Sequence, residues 1–156
     1  MAIEVGTPAP NFTLFSSEKQ EVSLDSYKGK NVVLLFFPAA FTSVCTEEMC
    51  HMRDHMEVYN GLDAEIFGLS VDTPWTLEKF KAEQNLNFPL LSDFNKTVAD
   101  SYGVLLQDFA FGMKGVAERA AIIIDKEGVV RYVEVTENPG VQVKFDALKE
   151  TLSSLN

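Results

Sequence analysis

Two cysteines, Cys45 and Cys50, are the residues of this chain whose type and placement best fit reaction chemistry. Cys45 follows an apolar run, Val32–Phe37, that stops at Pro38, and a helical pattern starts near Thr42. This order predicts that Cys45 lies in the first turn of a helix, where unpaired backbone N–H groups and the helix dipole favour an anion. A thiol at such a site ionises readily, and the thiolate is the reactive form of cysteine. The sequence therefore predicts an activated sulfur at a strand-to-helix junction.

Two residues just before Cys45 are candidates for the same site. Pro38 has no backbone N–H, and its rigid ring can shield one side of the sulfur from water. Thr42 lies one helical turn before Cys45, so its hydroxyl group can share a small pocket with the thiol.

A nearby cation would stabilise the thiolate further. The leading candidate is Arg119, which directly precedes the apolar segment Ala120–Ile124, and the alternatives are Arg53 and Arg131. Arginine suits this role because it stays charged and presents several donors in a fixed geometry.

The hydrophobic pattern around these residues predicts an α/β fold. The predicted strands are Phe12–Phe15, Glu21–Leu24, Val32–Phe37, Ala64–Val71, the short extended piece Phe88–Asp93, Ala120–Ile124 and Val129–Val135. The predicted helices are Thr42–Tyr59, Trp75–Glu83, Asn95–Tyr102 and Val141–Leu155. This order predicts a mixed central sheet with helices on both faces, in a single domain covering residues 1–156.

Composition and charge exclude several classes of function. The net charge of −10 disfavours nucleic-acid binding, because an acidic surface repels phosphate groups. No apolar segment approaches the ~20 residues of a membrane span, and the first residues do not have the pattern of a signal peptide. We therefore expect a cytoplasmic protein, in which two cysteines indicate catalysis, redox chemistry or metal binding more than a structural disulfide.

The histidines of the same predicted helix have the spacing of a metal-binding pair. His51 and His55 are four residues apart, close to Cys50, but the usual third ligand and its spacing are missing apart from Cys45 itself. We expect surface or interface histidines and no metal site.

Five stretches, taken together, resemble one known family. The motif Pro38-x-x-x-Thr42-x-x-Cys45 resembles the signature of the peroxiredoxins, thiol-dependent peroxidases with a thioredoxin-like fold. Further stretches resemble the landmarks of that family in the same order along the chain: Thr7–Leu14, Ser70–Asp72, Phe88–Asp93 and Arg119–Asp125. The resemblance covers nearly the whole chain.

The resemblance implies a role for each candidate residue. Cys45 would be the peroxidatic cysteine, whose thiolate attacks a hydroperoxide and becomes a sulfenic acid. Thr42 and Arg119 would bind and polarise the peroxide oxygens, and Pro38 would shield the pocket. Glu48 is either an orienter of the arginine or a solvated acid at the start of the helix. No haem, flavin or metal cofactor is implied.

The role of Cys50 has two interpretations. The Cys45-x4-Cys50 spacing resembles the Q type of peroxiredoxin, also called bacterioferritin comigratory protein, in which the second cysteine lies on the same helix. Stretches such as Asn87–Asn95 instead resemble the alkyl-hydroperoxidase-E type, which can work with one cysteine and an outside thiol. Five residues of helix separate the Cα atoms by ~8–9 Å, beyond the ~7 Å limit for a disulfide. Our hypothesis is that Cys50 resolves the sulfenic acid after the helix unwinds, and the alternative is an inert thiol with external recycling.

The implied partners follow from the same resemblance. The substrate would be hydrogen peroxide or an organic hydroperoxide, and the electron donor thioredoxin, a glutaredoxin-like protein or a small thiol. A homodimer is expected, and exposed apolar residues near Phe41 and Phe111 are compatible with it. The aromatic residues Phe109, Phe111 and Tyr102 have two interpretations: they line the peroxide entrance or a dimer contact, or they reflect ordinary packing and a mobile loop. The alternative functions are a redox sensor or holdase, and a thiol–disulfide oxidoreductase on the same fold, against which the missing Cys-x-x-Cys motif argues.

Overall fold

A seven-stranded mixed sheet forms the centre of the structure, a computed structural model that describes residues 1–156. The chain forms nine strands: β1 Thr13–Ser16, β2 Glu21–Ser23, β3 Asn31–Phe36, β4 Ala64–Ser70, β5 Leu90–Ser92, β6 Leu105–Asp108, β7 Lys114–Ala117, β8 Ala120–Ile124 and β9 Val130–Val135. The order in the sheet is β2-β1-β5-β4-β3-β8-β9, and β6 and β7 form a separate hairpin. Strands β3, β4 and β5 are parallel, and the other pairs are antiparallel.

Helices cover both faces of this sheet. They are α1 Ser43–Asp54, α2 Met56–Gly61, α3 Pro74–Gln84, α4 Thr97–Ser101 and α5 Phe145–Leu155, with 3-10 turns at Leu24–Tyr27 and Ala110–Gly112. Buried side chains of α1, α2, α3 and α5 join one hydrophobic core, and those of α4 join the other. None of these helices is long and apolar enough to cross a membrane.

Strand β3 lies between the two cores, which explains its unbroken run of apolar residues. All six of its residues are buried. Because successive strand side chains point to opposite faces, Val33 and Leu35 join the core under α1, whereas Val32 and Leu34 join the core under α4. Strands β4 and β8 pair with β3 on either side, so the end of β3 is held on both edges.

The predicted fold class is confirmed, with differences in particular elements. The helix predicted over Thr42–Tyr59 is broken at His55 into α1 and α2, although its apolar spacing continues through the break. The last helix begins at Phe145 and not at Val141, because Gln142 donates from its side chain to the Val44 carbonyl oxygen and holds this segment against α1. The hairpin of β6 and β7 was not predicted.

Candidate active site

The loop between β3 and α1 is fixed by side chains from the neighbouring strand. The backbone N–H of Ala40 donates to Asp72 Oδ2 over 2.8 Å, and the Ser70 hydroxyl donates to the same oxygen over 2.6 Å. Phe41 has a φ of 70°, a left-handed conformation that costs energy for a side chain of this size. Its ring packs edge-on against Phe80 of α3 at 5.2 Å, which helps to offset that strain.

Cys45 lies in the first turn of α1, as the sequence predicted. Thr42 is the N-cap residue, but its hydroxyl donates to the Ala39 carbonyl oxygen over 2.8 Å and does not cap the helix. The first N–H groups of α1 therefore remain without an acceptor from the helix or from the cap. Cys45 itself is only 1% exposed.

Arg119 brings a buried positive charge to the sulfur. Its Nη2 atom lies 2.9 Å from Cys45 Sγ, and the guanidinium group is 1% exposed. Nη1 donates to Glu48 Oε1 over 2.7 Å, and Nε donates to the Pro139 carbonyl oxygen over 2.8 Å. Three separate acceptors therefore fix the guanidinium plane against the thiol.

Glu48 is fully buried on α1, one helical turn after Cys45. This placement fits the interpretation of Glu48 as an orienter of the arginine and not as a solvated acid. Burial raises the pKa of Glu48 to about 7, although the adjacent Arg119 acts in the opposite direction. Its second oxygen, Oε2, has no hydrogen-bond partner.

A pocket of about 190 Å³ opens onto Cys45. Its walls include the predicted residues Pro38, Thr42 and Arg119, and also Phe109. The pocket is small, it is walled by proline and aromatic rings on some sides, and hydrogen-bond donors surround the sulfur. It can therefore admit a small polar molecule with an apolar substituent.

Sequence reasoning missed three residues that shape this site. Asp72 holds the loop before α1, Pro139 supplies a carbonyl oxygen to Arg119, and Gln142 binds the first turn of α1. Asp72 lies in a stretch that the sequence singled out, but the motif shows no reason for its contact with Ala40. Pro139 lies outside the predicted elements, and Gln142 was predicted as part of the last helix, so the sequence carries no signal for either contact.

Cys50 lies apart from this pocket. Its Sγ atom is 3.4 Å from the Gln84 side-chain oxygen on α3, and the residue is partly exposed. Both cysteines are free thiols, and α1 is intact between them. Joining the two sulfurs would require the helix to open.

The two arginine alternatives form other contacts. Arg53 donates to Asp54 and to the backbone oxygen of Gln84, and Arg131 donates to Asp125 Oδ2 over 2.6 Å. Neither lines the pocket at Cys45.

The histidine pair forms a stack of aromatic rings. The rings of His51 and His55 are 4.1 Å apart, and the other face of His51 lies 3.8 Å from Phe145 of α5. No group of three or more histidine, cysteine, aspartate or glutamate side chains is arranged to hold a metal ion.

The aromatic candidates have different environments. Phe109 lines the pocket, Phe111 is 99% exposed, and Tyr102 is buried with its hydroxyl donating to the Pro10 carbonyl oxygen over 2.7 Å. Phe109 is therefore part of the pocket wall, and Tyr102 belongs to ordinary packing.

Comparison with known proteins decides the family. The model of the AhpC/TSA family matches residues 5–133. The chain belongs to this family, the peroxiredoxins. It is 42% identical over 135 residues to the putative peroxiredoxin bcp of Coxiella burnetii, covering 85% of this chain and 89% of that protein. It is 37% identical over 141 residues to alkyl hydroperoxide reductase E of Mycobacterium bovis, covering 88% of each.

A solved structure is similar over the whole length of this peroxiredoxin. The crystal structure of peroxidoxin BcpB from Mycobacterium tuberculosis matches with a TM-score of 0.87 and 29% identity, covering 99% of both chains. The thioredoxin-like fold and the thiol-dependent peroxidase function expected from the sequence are confirmed. The sensor and thiol–disulfide oxidoreductase alternatives are not favoured. Peroxiredoxins act on hydroperoxides and take electrons from thiols.

Proposed function

We propose that Cys45 is the residue that the hydroperoxide oxidises. The single observation that carries this assignment is the 2.9 Å contact between Arg119 Nη2 and Cys45 Sγ, made where both residues are buried beside a small pocket. A fixed cation stabilises the thiolate, and the small pocket limits which molecules can reach the sulfur. Pro38 forms one wall of the pocket and limits access of water.

In the proposed reaction, the Cys45 thiolate attacks the terminal oxygen of the hydroperoxide and the O–O bond breaks. Negative charge then develops on the leaving oxygen. Arg119 and the free N–H groups of the first turn of α1 lie around the pocket and can donate to that charge. The Thr42 hydroxyl can do the same once it turns away from the Ala39 carbonyl oxygen. The products are a Cys45 sulfenic acid and an alcohol or water.

This assignment is tested by trapping the sulfenic acid. The protein is treated with one equivalent of peroxide in the presence of dimedone, and the adduct is located by peptide mass spectrometry. We expect the adduct at Cys45, and an adduct at Cys50 alone would refute the assignment.

Cys50 is proposed to resolve the sulfenic acid after the first turns of α1 unwind, with recycling by an external thiol as the alternative. The absence of a side-chain cap at Thr42 supports this, because the start of α1 has no cap hydrogen bond to lose when it unwinds. Non-reducing peptide mapping after one equivalent of peroxide tests it. Finding no Cys45–Cys50 linkage at any time point would favour the external thiol.

The substrate is proposed to include organic hydroperoxides as well as hydrogen peroxide. The apolar wall of the pocket at Phe109 and Pro139 supports this, as does the name of the relative that is an alkyl hydroperoxide reductase. Comparing the oxidation rates of the reduced protein by hydrogen peroxide and by cumene hydroperoxide tests the preference.

The remaining expectations stay predictions. The electron donor is thioredoxin, a glutaredoxin-like protein or a small thiol. A homodimer is supported by the exposed rings of Phe41 and Phe111, which are 48% and 99% accessible, and sedimentation of the reduced protein tests it. A single domain over residues 1–156 and a cytoplasmic location also remain as the sequence predicted them.

A further inference from the structure

One buried guanidinium group faces two buried acids. Arg119 contacts the Cys45 sulfur through Nη2 at 2.9 Å and Glu48 Oε1 through Nη1 at 2.7 Å. The three residues are 1%, 1% and 0% exposed. Two anions beside a single cation would leave one uncompensated negative charge in a region that water does not reach, which is costly.

The second oxygen of Glu48 shows how the site can avoid that cost. Oε2 is buried and has no hydrogen-bond partner, so an ionised Glu48 would carry an unsatisfied charged oxygen. A proton on the carboxyl group removes the charge, while Oε1 can still accept from Arg119. Burial raises the pKa of Glu48 to about 7, so a proton is readily held or released near neutral pH.

The carboxylate of Glu134 also favours the protonated form of Glu48. On β9, the Glu134 carboxylate is close enough to raise the pKa of Glu48, although it accepts from the Tyr132 hydroxyl over 2.7 Å and from the Lys144 N–H over 3.0 Å. Arg119 is the only cation that stabilises ionised Glu48.

We propose that Cys45 and Glu48 share one negative charge across Arg119. Glu48 holds a proton while Cys45 is a thiolate, and it ionises when Cys45 is oxidised to a neutral sulfenic acid. Glu48 is thus a positioning residue that also keeps the charge of the buried site constant through the reaction. The proposal rests on the proposed role of Cys45 in the peroxidase reaction.

The step balances in atoms and charge. The Cys45 thiolate forms a bond to the terminal oxygen of ROOH, the O–O bond breaks, and the leaving RO⁻ takes up one proton to become ROH. Glu48 gives up one proton and the leaving oxygen takes one up, so the number of protons in the site is unchanged. Before and after the step, Arg119 faces one anion: first the sulfur, then the carboxylate.

Infrared difference spectroscopy on the reduced protein, with and without one equivalent of peroxide, tests this proposal. We expect the wild type to lose the band of a protonated carboxyl group and gain that of a carboxylate as Cys45 is oxidised. Glu48→Gln should lack this pair of bands, whereas Glu47→Gln, which alters an exposed neighbour, should retain it. Cys45→Ser should show no peroxide-induced change.

The outcomes separate this proposal from the assignment of Cys45. If Cys45 becomes oxidised in the wild type while the carboxyl bands do not change, or if Glu48→Gln retains the bands, the shared charge is refuted and the assignment stands. If peroxide does not oxidise Cys45, the assignment itself fails. The wild-type spectrum alone decides the first case, so the test does not depend on the stability of the Glu48 variant.

A pH titration of the thiolate provides a second readout. Ultraviolet absorbance is recorded on the reduced protein in a Cys50→Ser background, where Cys45 is the one remaining thiol. With and without Glu47→Gln, this protein should show two coupled steps, because ionising one acid opposes ionising the other. Adding Glu48→Gln should leave a single step, and a titration unchanged by Glu48→Gln would overturn the proposal, since a purely structural role of Glu48 would not couple the two groups.

Discussion

Replacing Arg119 by alanine is expected to lower both the rate of peroxide reduction and the stability of the folded protein. The substitution removes three hydrogen bonds, to Cys45 Sγ, to Glu48 Oε1 and to the Pro139 carbonyl oxygen. Loss of one donor to charge that develops in a reaction typically costs about 100- to 1,000-fold in rate. Removing one partner of a buried ion pair typically costs about 3–5 kcal/mol of stability.

The stability cost of Arg119→Ala should depend on pH in a defined direction. The pKa of Glu48 is raised from 4.5 to about 7 in the folded protein, so the folded wild type keeps this proton below pH 7 and loses it above. Without Arg119, we expect Glu48 to keep its proton to higher pH. The stability gap between variant and wild type should therefore be constant below pH 7 and should widen above it by about 1.4 kcal/mol per pH unit.

Urea unfolding followed by circular dichroism, at about pH 6 and about pH 9, measures this gap. All variants are compared for stability in a Cys45→Ser background, so that the thiol beside Arg119 does not titrate. The control is Arg119→Ala with Glu48→Gln, where no carboxyl group contacts Arg119 and the gap should not depend on pH. Stopped-flow oxidation by peroxide, with Cys45 present, gives the rate of each variant. A gap that is equal at both pH values, or that widens equally in the control, would refute the assignment of a buried titrating pair.

Three further predictions concern single positions. The pKa of Glu48 is raised from 4.5 to about 7 on folding, so the stabilisation that its bound proton gives the folded state is lost as the pH rises from 4.5 through 7. Glu48→Gln should lack this fall in the free energy of unfolding, as measured by urea unfolding. Gly68→Ala places a methyl group 2.7 Å from Leu90 Cδ2, so the urea midpoint should fall by the equivalent of about 1–3 kcal/mol, and an unchanged midpoint would contradict this packing. Asp72→Ala leaves the buried N–H of Ala40 without its acceptor and should cost about 1–3 kcal/mol and slow oxidation, both measurable on one preparation.

The elements that position the sulfur were predictable because their signals are local. The apolar run before Pro38 and the helical spacing from Thr42 placed Cys45 in the first turn of α1, and the structure agrees. The choice of Arg119 from three arginines followed its position next to a buried strand.

The burial of the charged residues could not be read from the sequence. Glu48 fits a solvated acid at the start of a helix as well as it fits a buried partner of arginine, because the helical pattern does not show which environment its side chain meets. Only the fold brings Arg119 onto the same side of α1, 71 residues away along the chain. The sequence therefore predicted that losing Arg119 slows peroxide reduction much more than it lowers stability, whereas the burial of Arg119 indicates that stability also depends strongly on it.

Elements fixed by long-range contacts were the ones misplaced. The segment Val141–Lys144 has apolar residues at helical spacing, but the hydrogen bond from Gln142 to Val44 keeps it outside α5. The break at His55 was not predicted, because Met52, Met56 and Tyr59 continue the apolar stripe across it and all three pack into one core.

The most direct test of the central claim is stopped-flow oxidation of the reduced protein by hydrogen peroxide in the wild type, Cys45→Ser and Cys50→Ser. We predict a fast phase that disappears in Cys45→Ser and persists in Cys50→Ser at an unchanged rate. A fast phase that survives Cys45→Ser, or a wild type that reacts no faster than free cysteine, would contradict the assignment of Cys45 as the residue that reduces peroxide.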